Sequence, residues 1–480
     1  MEKNTSPKKS YNFDYNNKIE LPSDNIYIQP KWGLENINIV QITDEIHINK
    51  NEDLESNYLF KTFLENKSNN IFILILLPII IISEIFYREP LFSFSLKFEL
   101  NLQKYLSDNS LIFFRFITKA GCEYFIVIAL IIIFLYFSLI QTIICFFGLT
   151  ISIYMQSLMK MIYGSSRPFL ENNKLYNGMC DGGFGNPSGH ALVSFYIYLT
   201  LIKYIKNYKY FNELPIIKIL FTILLWMMLI LVIISRIILG LHSINQIIYG
   251  SFLGIWIYYV LIHIFKLHKI SMITYRKIYQ NIKYIFFISL FFILSILIAI
   301  LCYFNFNQNL DYIDLHNKLN YDCERVKKLR RFNNDGIFGC LIIISFIGLY
   351  YGQFLFWSFS DKYYKKNMNK LNNNDNNDYY LIDELINNWN KNKCFLFHKK
   401  SNLFTIIKTI VICSLPLSIF FFISSDNDSM LIIFLIKFTI PIFFTSFIAF
   451  GIGLYWFIIM FCGNKENLIN NYYQFSIDDL

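Results

Sequence analysis

The chain has 480 residues, of which 55% are hydrophobic and only 16% are charged. A soluble globular protein carries about 25% charged residues, so the composition excludes an ordinary soluble enzyme and a disordered chain and predicts a polytopic membrane protein. The net charge of +9 is typical of basic cytoplasmic loops, and no aromatic–basic groove pattern indicates a nucleic-acid partner.

Apolar runs, taken in chain order, predict an all-α, polytopic transmembrane helical bundle of about ten spans. A helix needs about 20 apolar residues to cross a bilayer. Runs near that length occur at 71–87, 122–140, 143–163, 191–207, 215–235, 244–266, 284–304, 337–358, 403–423 and 431–461. The first run is short and contains Pro78 and Glu84, which makes it the weakest of the predicted spans.

The same pattern divides the chain into four regions. Residues 1–65 are polar and predict a cytoplasmic N-terminal tail, and residues 66–268 predict a six-helix transmembrane core. Residues 269–465 predict an additional C-terminal transmembrane region with an Asn-rich loop at 361–400, and residues 466–480 predict a tail.

Charged loops predict the orientation of the bundle. Loops 203–214 and 266–283 carry several basic residues, whereas loop 424–430 carries none, although loop 305–336 is an exception. Because positive loops stay in the cytoplasm, the N-terminus is expected there. Loops on the opposite side are expected to face the lumen or exoplasm, with the endoplasmic reticulum or another endomembrane as the location.

Three polar clusters at span ends carry the candidate chemistry. They are Lys160 with Arg167, then Ser188, Gly189 and His190, then Arg236 with His242. Ionisable residues near a bilayer are costly and tend to mark function. Counting the spans places all three clusters on one face of the membrane.

This set of residue types suits a phosphate group. Arginine donors match phosphate oxygens in pairs, and a Ser-Gly turn before a helix offers backbone N–H groups and the positive end of the helix dipole. One histidine can attack phosphorus and the other can protonate the leaving oxygen. No acidic cluster indicates a metal, so the expected chemistry is metal-independent, with no cofactor.

The clusters resemble the motif of the type 2 phosphatidic acid phosphatase and haloperoxidase superfamily. That motif reads K-x6-R-P, then P-S-G-H, then S-R-x5-H-x3-D. The chain matches it from Lys160 to Arg167-Pro168, over 187–190, and from Ser235-Arg236 to His242. The resemblance covers residues 160–246 and implies an integral membrane phosphatase.

The resemblance also implies a role for each matched residue. His242 would be the nucleophile, giving a phosphohistidine intermediate, and His190 would be the general acid. The phosphate would be bound by Lys160, Arg167, Ser188, Gly189 and Arg236.

One position departs from the superfamily motif. Gln246 replaces the aspartate that orients the nucleophilic histidine, and an amide accepts the ring N–H without bringing charge. The chain resembles the glucose-6-phosphatase branch of the superfamily in having glutamine at this position. The segment DGGFGNPSGHA at 181–191 also resembles that branch. The three spans before Lys160 are instead similar to the lipid phosphatases.

The resulting expectation is a phosphatase that hydrolyses phosphate monoesters of lipids, such as phosphatidate, lysophosphatidate, a sphingoid-base phosphate or a polyprenyl phosphate. Three alternatives stay open, namely a glucose-6-phosphatase-like sugar phosphatase, a lipid phosphotransferase and a catalytically silent binding protein. The expected partners are the phosphorylated substrate and membrane lipids.

Overall fold

A computed structural model describes the helical core of the chain. The described residues are 67–136, 139–172, 174–175, 184–207, 214–265, 278–279, 281–306, 343–358 and 440–448. Every regular element in these ranges is a helix, which confirms the all-α prediction. The predicted N-terminal tail, Asn-rich loop, 403–423 span and C-terminal tail lie outside the described residues.

The described part of the chain contains helices α1 to α11, in chain order, and two π-helical segments that continue them. The α-helices are α1 (Lys67–Gln103), α2 (Asp108–Thr118), α3 (Phe125–Tyr136), α4 (Leu139–Tyr163), α5 (Pro168–Glu171), α6 (Gly189–Asn207), α7 (Pro215–Ile238), α8 (Ile244–Tyr258), α9 (Ile282–Phe306), α10 (Ile343–Ser358) and α11 (Ile440–Ile448). The π-helical segment Lys119–Tyr124 joins α2 to α3, and Tyr259–Ile264 extends α8.

Six helical stretches in the described part of the chain are long and apolar enough to cross a membrane. They are Asn70–Gln103, Asp108–Ile133, Ile140–Glu171, Pro215–Ile238, Ile244–Ile264 and Ile282–Cys302. The predicted count of about ten is therefore not confirmed. The predicted span at 191–207 corresponds to α6, which is not among the six although its 19 residues reach about 28 Å.

Helix α6 is less apolar than the six candidate spans, and most of its surface is covered by protein. Most of its residues are buried, and Tyr196 and Tyr198 have no exposed surface. Their hydroxyls donate to the carbonyls of Cys145 at 3.3 Å and Gly121 at 2.8 Å. A central helix can therefore carry polar groups that a lipid-facing helix could not satisfy.

Helix α8 packs unusually close to α6. A Cβ atom added at Gly250 or Gly254 would collide with the backbone carbonyl oxygens of Ser188 or Leu192. Small residues spaced four apart allow such close approach between membrane helices. The contact fixes the start of α6 against α8.

Helix α1 runs far beyond the predicted first span at 71–87. Its 37 residues extend about 55 Å, and contacts occur near both of its ends. The Trp256 indole N–H donates to the carbonyl of Ile73 at 2.8 Å, and the Gln103 amide donates to the carbonyl of Ile238 at 2.8 Å. The helix thus lies along the whole bundle.

The helices after the core pack on the outer side of α4. Buried residues of α4, α9 and α10 form one apolar cluster, and the Tyr154 hydroxyl donates to the carbonyl of Ser295. Helix α11 contacts α10, where the Ser446 hydroxyl donates to that of Ser345 at 3.1 Å. Helices α9 and α10 therefore pack against the helix that carries Lys160.

Candidate active site

The three polar clusters meet at one end of the bundle. Lys160 lies in the last turn of α4, His190 in the first turn of α6, and Arg236 in the last turn of α7. Apart from the partly exposed His190, the predicted site residues are buried, namely Lys160, Arg167, Ser188, Gly189, Arg236, His242 and Gln246. The structure thus brings together every residue that the sequence singled out.

Two glycines with positive φ end the helices that carry Lys160 and Arg236, and the next motif residues follow in the turns. Gly164 has a φ of 56° and ends α4, and Arg167-Pro168 then begins α5 with proline in its favoured first position. Gly240 has a φ of 64° and ends α7, where the N–H groups of Leu241 and His242 donate to the carbonyl of Arg236. Glycine is the usual residue at such helix ends because it has no Cβ.

His242 is held in a single tautomer. Its Nε2 lies 3.2 Å from Nη1 of Arg167, and its Nδ1 lies 2.9 Å from the carbonyl oxygen of Gly185 and 3.2 Å from Oε1 of Gln246. A guanidinium can only donate, so Nε2 accepts and Nδ1 carries the proton. The Nε2 lone pair therefore faces Arg167.

The surroundings keep this imidazole neutral. Burial lowers the pKa of His242 well below 6.5, and the charges of Arg167, Arg236, Lys160 and His190 lower it further. A group in an apolar, positively charged environment resists gaining a second proton. His242 is consequently unprotonated near neutral pH.

Gln246 links the three motif segments. Its Oε1 accepts from His242, its Nε2 donates to the carbonyl of Ser166 at 2.8 Å, and its own carbonyl accepts from the N–H of Ser188 at 3.0 Å. A carboxylate in this position would place a charged oxygen against the Ser166 carbonyl oxygen. The local structure therefore suits an amide rather than the aspartate of the superfamily motif.

Two polar groups at the site bear on anion binding. Nη1 of Arg236 donates to the hydroxyl of Thr118 at 3.2 Å, which ties the guanidinium to α2. The hydroxyl of Ser188 is buried and has no hydrogen-bond partner among the described residues. Because an unsatisfied buried hydroxyl is costly, it is a candidate contact for an anion.

Sequence reasoning missed several residues that touch the site. Gly185 and Ser166 act through their backbone carbonyls, which no side-chain pattern reveals. Thr118 lies on α2, far from the motifs in sequence. Glu84 contacts Asn186, and its one signal in the sequence is an acid within an apolar run, four residues before Arg88.

Comparison with family models gives one match. Residues 141–270 match the model described as the PAP2 superfamily, and the match includes all eight predicted site residues. Comparisons with curated proteins and with solved structures gave no match. Over residues 141–270, this match supports the resemblance of the motifs to the type 2 phosphatidic acid phosphatase superfamily.

Proposed function

We propose that this protein is an integral membrane phosphatase that hydrolyses phosphate monoesters through a phosphohistidine at His242. The observation that carries the proposal is the neutral His242 imidazole, whose Nε2 lone pair faces Arg167 inside a buried, positively charged site. A nucleophilic nitrogen must carry a lone pair rather than a proton.

Binding of the phosphate group uses the cations and the start of α6. Lys160, Arg167 and Arg236 supply positive charge in a buried environment, where charge stabilisation is strong. The Ser188 hydroxyl and the backbone N–H groups at the start of α6 add hydrogen-bond donors. These groups stabilise the charge that spreads over the equatorial oxygens during transfer.

Two displacements at phosphorus complete the reaction. Nε2 of His242 forms a bond to phosphorus while the ester oxygen leaves and takes a proton from His190. Water then attacks the phosphohistidine, gives its proton to His190, and releases inorganic phosphate and the neutral imidazole. The same histidine thus serves as acid in the first step and as base in the second.

Gln246 and Gly185 support the charge that His242 acquires. Both oxygens accept the Nδ1 proton, so they stabilise the phosphoimidazolium and hold the reactive tautomer. In a serine-protease triad, an amide in place of the orienting acid costs about 10⁴ in rate because the tautomer is wrong. Here the Gly185 carbonyl preserves the tautomer, which favours an active enzyme over a silent binding protein.

The substrate class that fits best is a lipid phosphate. The site lies at one end of a bundle of apolar helices, where a lipid held in the bilayer can present its headgroup. Charged loops favour a lumenal or exoplasmic site in an endomembrane such as the endoplasmic reticulum. Gln246 is the observation that favours a sugar phosphate instead, because it is shared with the glucose-6-phosphatase branch.

The test is phosphate release by the detergent-purified protein with a metal chelator present. The panel contains lysophosphatidate, a sphingoid-base phosphate, a polyprenyl phosphate and glucose 6-phosphate, each beside a His242→Ala control. Release that disappears in the variant supports the proposal, and the fastest substrate identifies the branch. Folded wild-type protein that releases no phosphate from any substrate would refute it, and faster turnover of glucose 6-phosphate would refute the lipid assignment.

A further inference from the structure

A buried carboxylate on α1 contacts the turn that begins α6. The side chain of Glu84 has no exposed surface, and its Oε1 accepts a hydrogen bond from Nδ2 of Asn186 at 2.6 Å. The two residues are 102 positions apart in sequence. Glu84 also lies outside the region 141–270 that matches the superfamily, so neither the motif nor the match assigns it a role.

Arg88 balances the charge of this carboxylate. Its Nε and Nη2 donate to Glu84 at distances between 2.7 and 3.2 Å. Its guanidinium carbon lies 4.4 Å from the centre of the Tyr163 ring, at the end of α4. The ion pair therefore joins the end of α4 to the turn before α6, and these are the segments that carry Lys160 and His190.

We propose that Glu84 is a positioning residue for the phosphate-binding turn 186–189, acting through Asn186. The inference rests on the proposed function, because Ser188 and Gly189 bind phosphate there and His190 follows them directly. Holding Asn186 fixes where the Ser188 hydroxyl and the first N–H groups of α6 point. Small displacements of such donors weaken transition-state binding strongly.

A purely structural role does not explain an acid at this position. Taking an ion pair out of water is costly, and well-packed apolar residues often stabilise a fold as well or better. Apolar residues at both 84 and 88 would pack between apolar helices without that cost. What the carboxylate adds is a short, directional hydrogen bond to Asn186, and that bond leads to the turn.

Three variants separate positioning from general stability. Glu84→Leu removes the acceptor, so kcat/KM should fall about 30-fold. Glu84→Gln keeps an acceptor for Asn186 but loses the bidentate pairing with Arg88, so the loss should be about fivefold. Glu89→Gln makes the same exchange on an exposed neighbour and should stay within about twofold of wild type.

Inhibition by vanadate gives a readout that lost stability would not change. Five-coordinate vanadate resembles the phosphoryl-transfer transition state, so its binding reports the geometry of the turn. Positioning requires that the inhibition constant rise in Glu84→Gln by about the factor by which kcat/KM falls. A lower kcat/KM with an unchanged inhibition constant would indicate only a smaller active fraction and would overturn the proposal.

Hydrogen exchange in peptides that cover 184–190 tests the contact without any activity. Exchange should rise in Glu84→Gln relative to wild type and to Glu89→Gln, and an unchanged rate would overturn the proposal. If Glu84→Leu does not fold, Glu84→Gln decides the matter. Wild-type protein that neither releases phosphate nor binds vanadate would refute the proposed function, while exchange would still show whether Glu84 holds the turn.

Discussion

Helix α4 joins two regions that are built in different ways. At its C-terminal end, the site is held by directional hydrogen bonds between distant segments, such as Gly185 to His242 and Gln246 to Ser166. Along its outer side, α9 and α10 pack through an apolar cluster, for example Phe147 against Phe346 with ring centres 4.8 Å apart. Hydrogen bonds tolerate little misplacement, whereas apolar packing is non-directional.

The difference indicates where each kind of mutation should act. Substitutions at the site end should change the rate and leave the fold intact, because each polar group serves one geometry. Substitutions on the outer side should lower stability and leave the rate of the folded protein unchanged. The superfamily match ends at residue 270, so α9 and α10 lie beyond it.

The largest effect is expected from Arg167→Lys. Nη1 of Arg167 donates both to the carbonyl of Leu241 and to His242, and the proposed function assigns phosphate binding to the same guanidinium. A lysine has one nitrogen and cannot replace this planar set of donors, so kcat/KM should fall about 10³-fold. Steady-state kinetics on the preferred substrate measure it.

Lys203→Arg is the control for this exchange. It swaps the same two residue types, in reverse, near the opposite end of α6. Its kcat/KM should remain within about twofold of wild type. An Arg167→Lys loss below tenfold would show that the guanidinium geometry is unimportant and that the site end is as tolerant as the outer side.

The second test uses Gln246 in two variants. Gln246→Leu removes the bonds to His242 and Ser166, so kcat should fall about 100-fold. Gln246→Glu should also be slower than wild type near pH 8, because an ionised carboxylate is repelled by the Ser166 carbonyl. Protonation at lower pH restores a donor, so the ratio of this variant to wild type should rise from pH 8 to pH 5.5. A glutamate variant that is faster than wild type at pH 8 would contradict the amide-specific fit.

The sequence predicted which side chains lie together in the candidate site, but it did not predict the contacts that hold them in place. Arg167, His190 and His242 follow from residue type, spacing and the order of the spans, because helix ends on one side of a bundle must lie near one another. Gly185 could not be found in this way, because its contribution is a backbone carbonyl. A carbonyl contact depends on tertiary placement and leaves no side-chain signature.

The prediction of the fold was least accurate for helices that are covered largely by protein or that contain a buried charge. Hydropathy predicts the apolar helix α7 well, whereas the predicted span at 191–207 coincides with the buried helix α6 and is not confirmed as a membrane span. Glu84 also weakened the prediction of the first span. Arg88 neutralises its charge and the Asn186 amide donates a hydrogen bond to it, whereas hydropathy counts the acid as unpaired.

The third test is the pH dependence of wild type and Lys160→Met. The pKa of His242 is held well below 6.5 by burial and then by nearby cations, so the proposed nucleophile stays neutral as pH falls through that range. Removing the Lys160 charge should raise this pKa and move the acidic limb of kcat/KM to higher pH. The same substrate ionises in the same way in both assays. A difference between the two acidic limbs therefore reports a change in the pKa of an enzyme group. A limb that moves to lower pH, or not at all, would contradict this electrostatic account.

The smallest effect is expected on the outer side, from Tyr154→Phe. The change removes the hydroxyl that donates to the Ser295 carbonyl and keeps the ring in the apolar cluster. The loss of one hydrogen bond should lower stability by about 1 kcal/mol, so the thermal midpoint in detergent should fall by a few degrees while kcat/KM is unchanged. A rate that falls more than twofold at an unchanged midpoint would mean that α9 acts on the site through α4, and the separation between the two regions would fail.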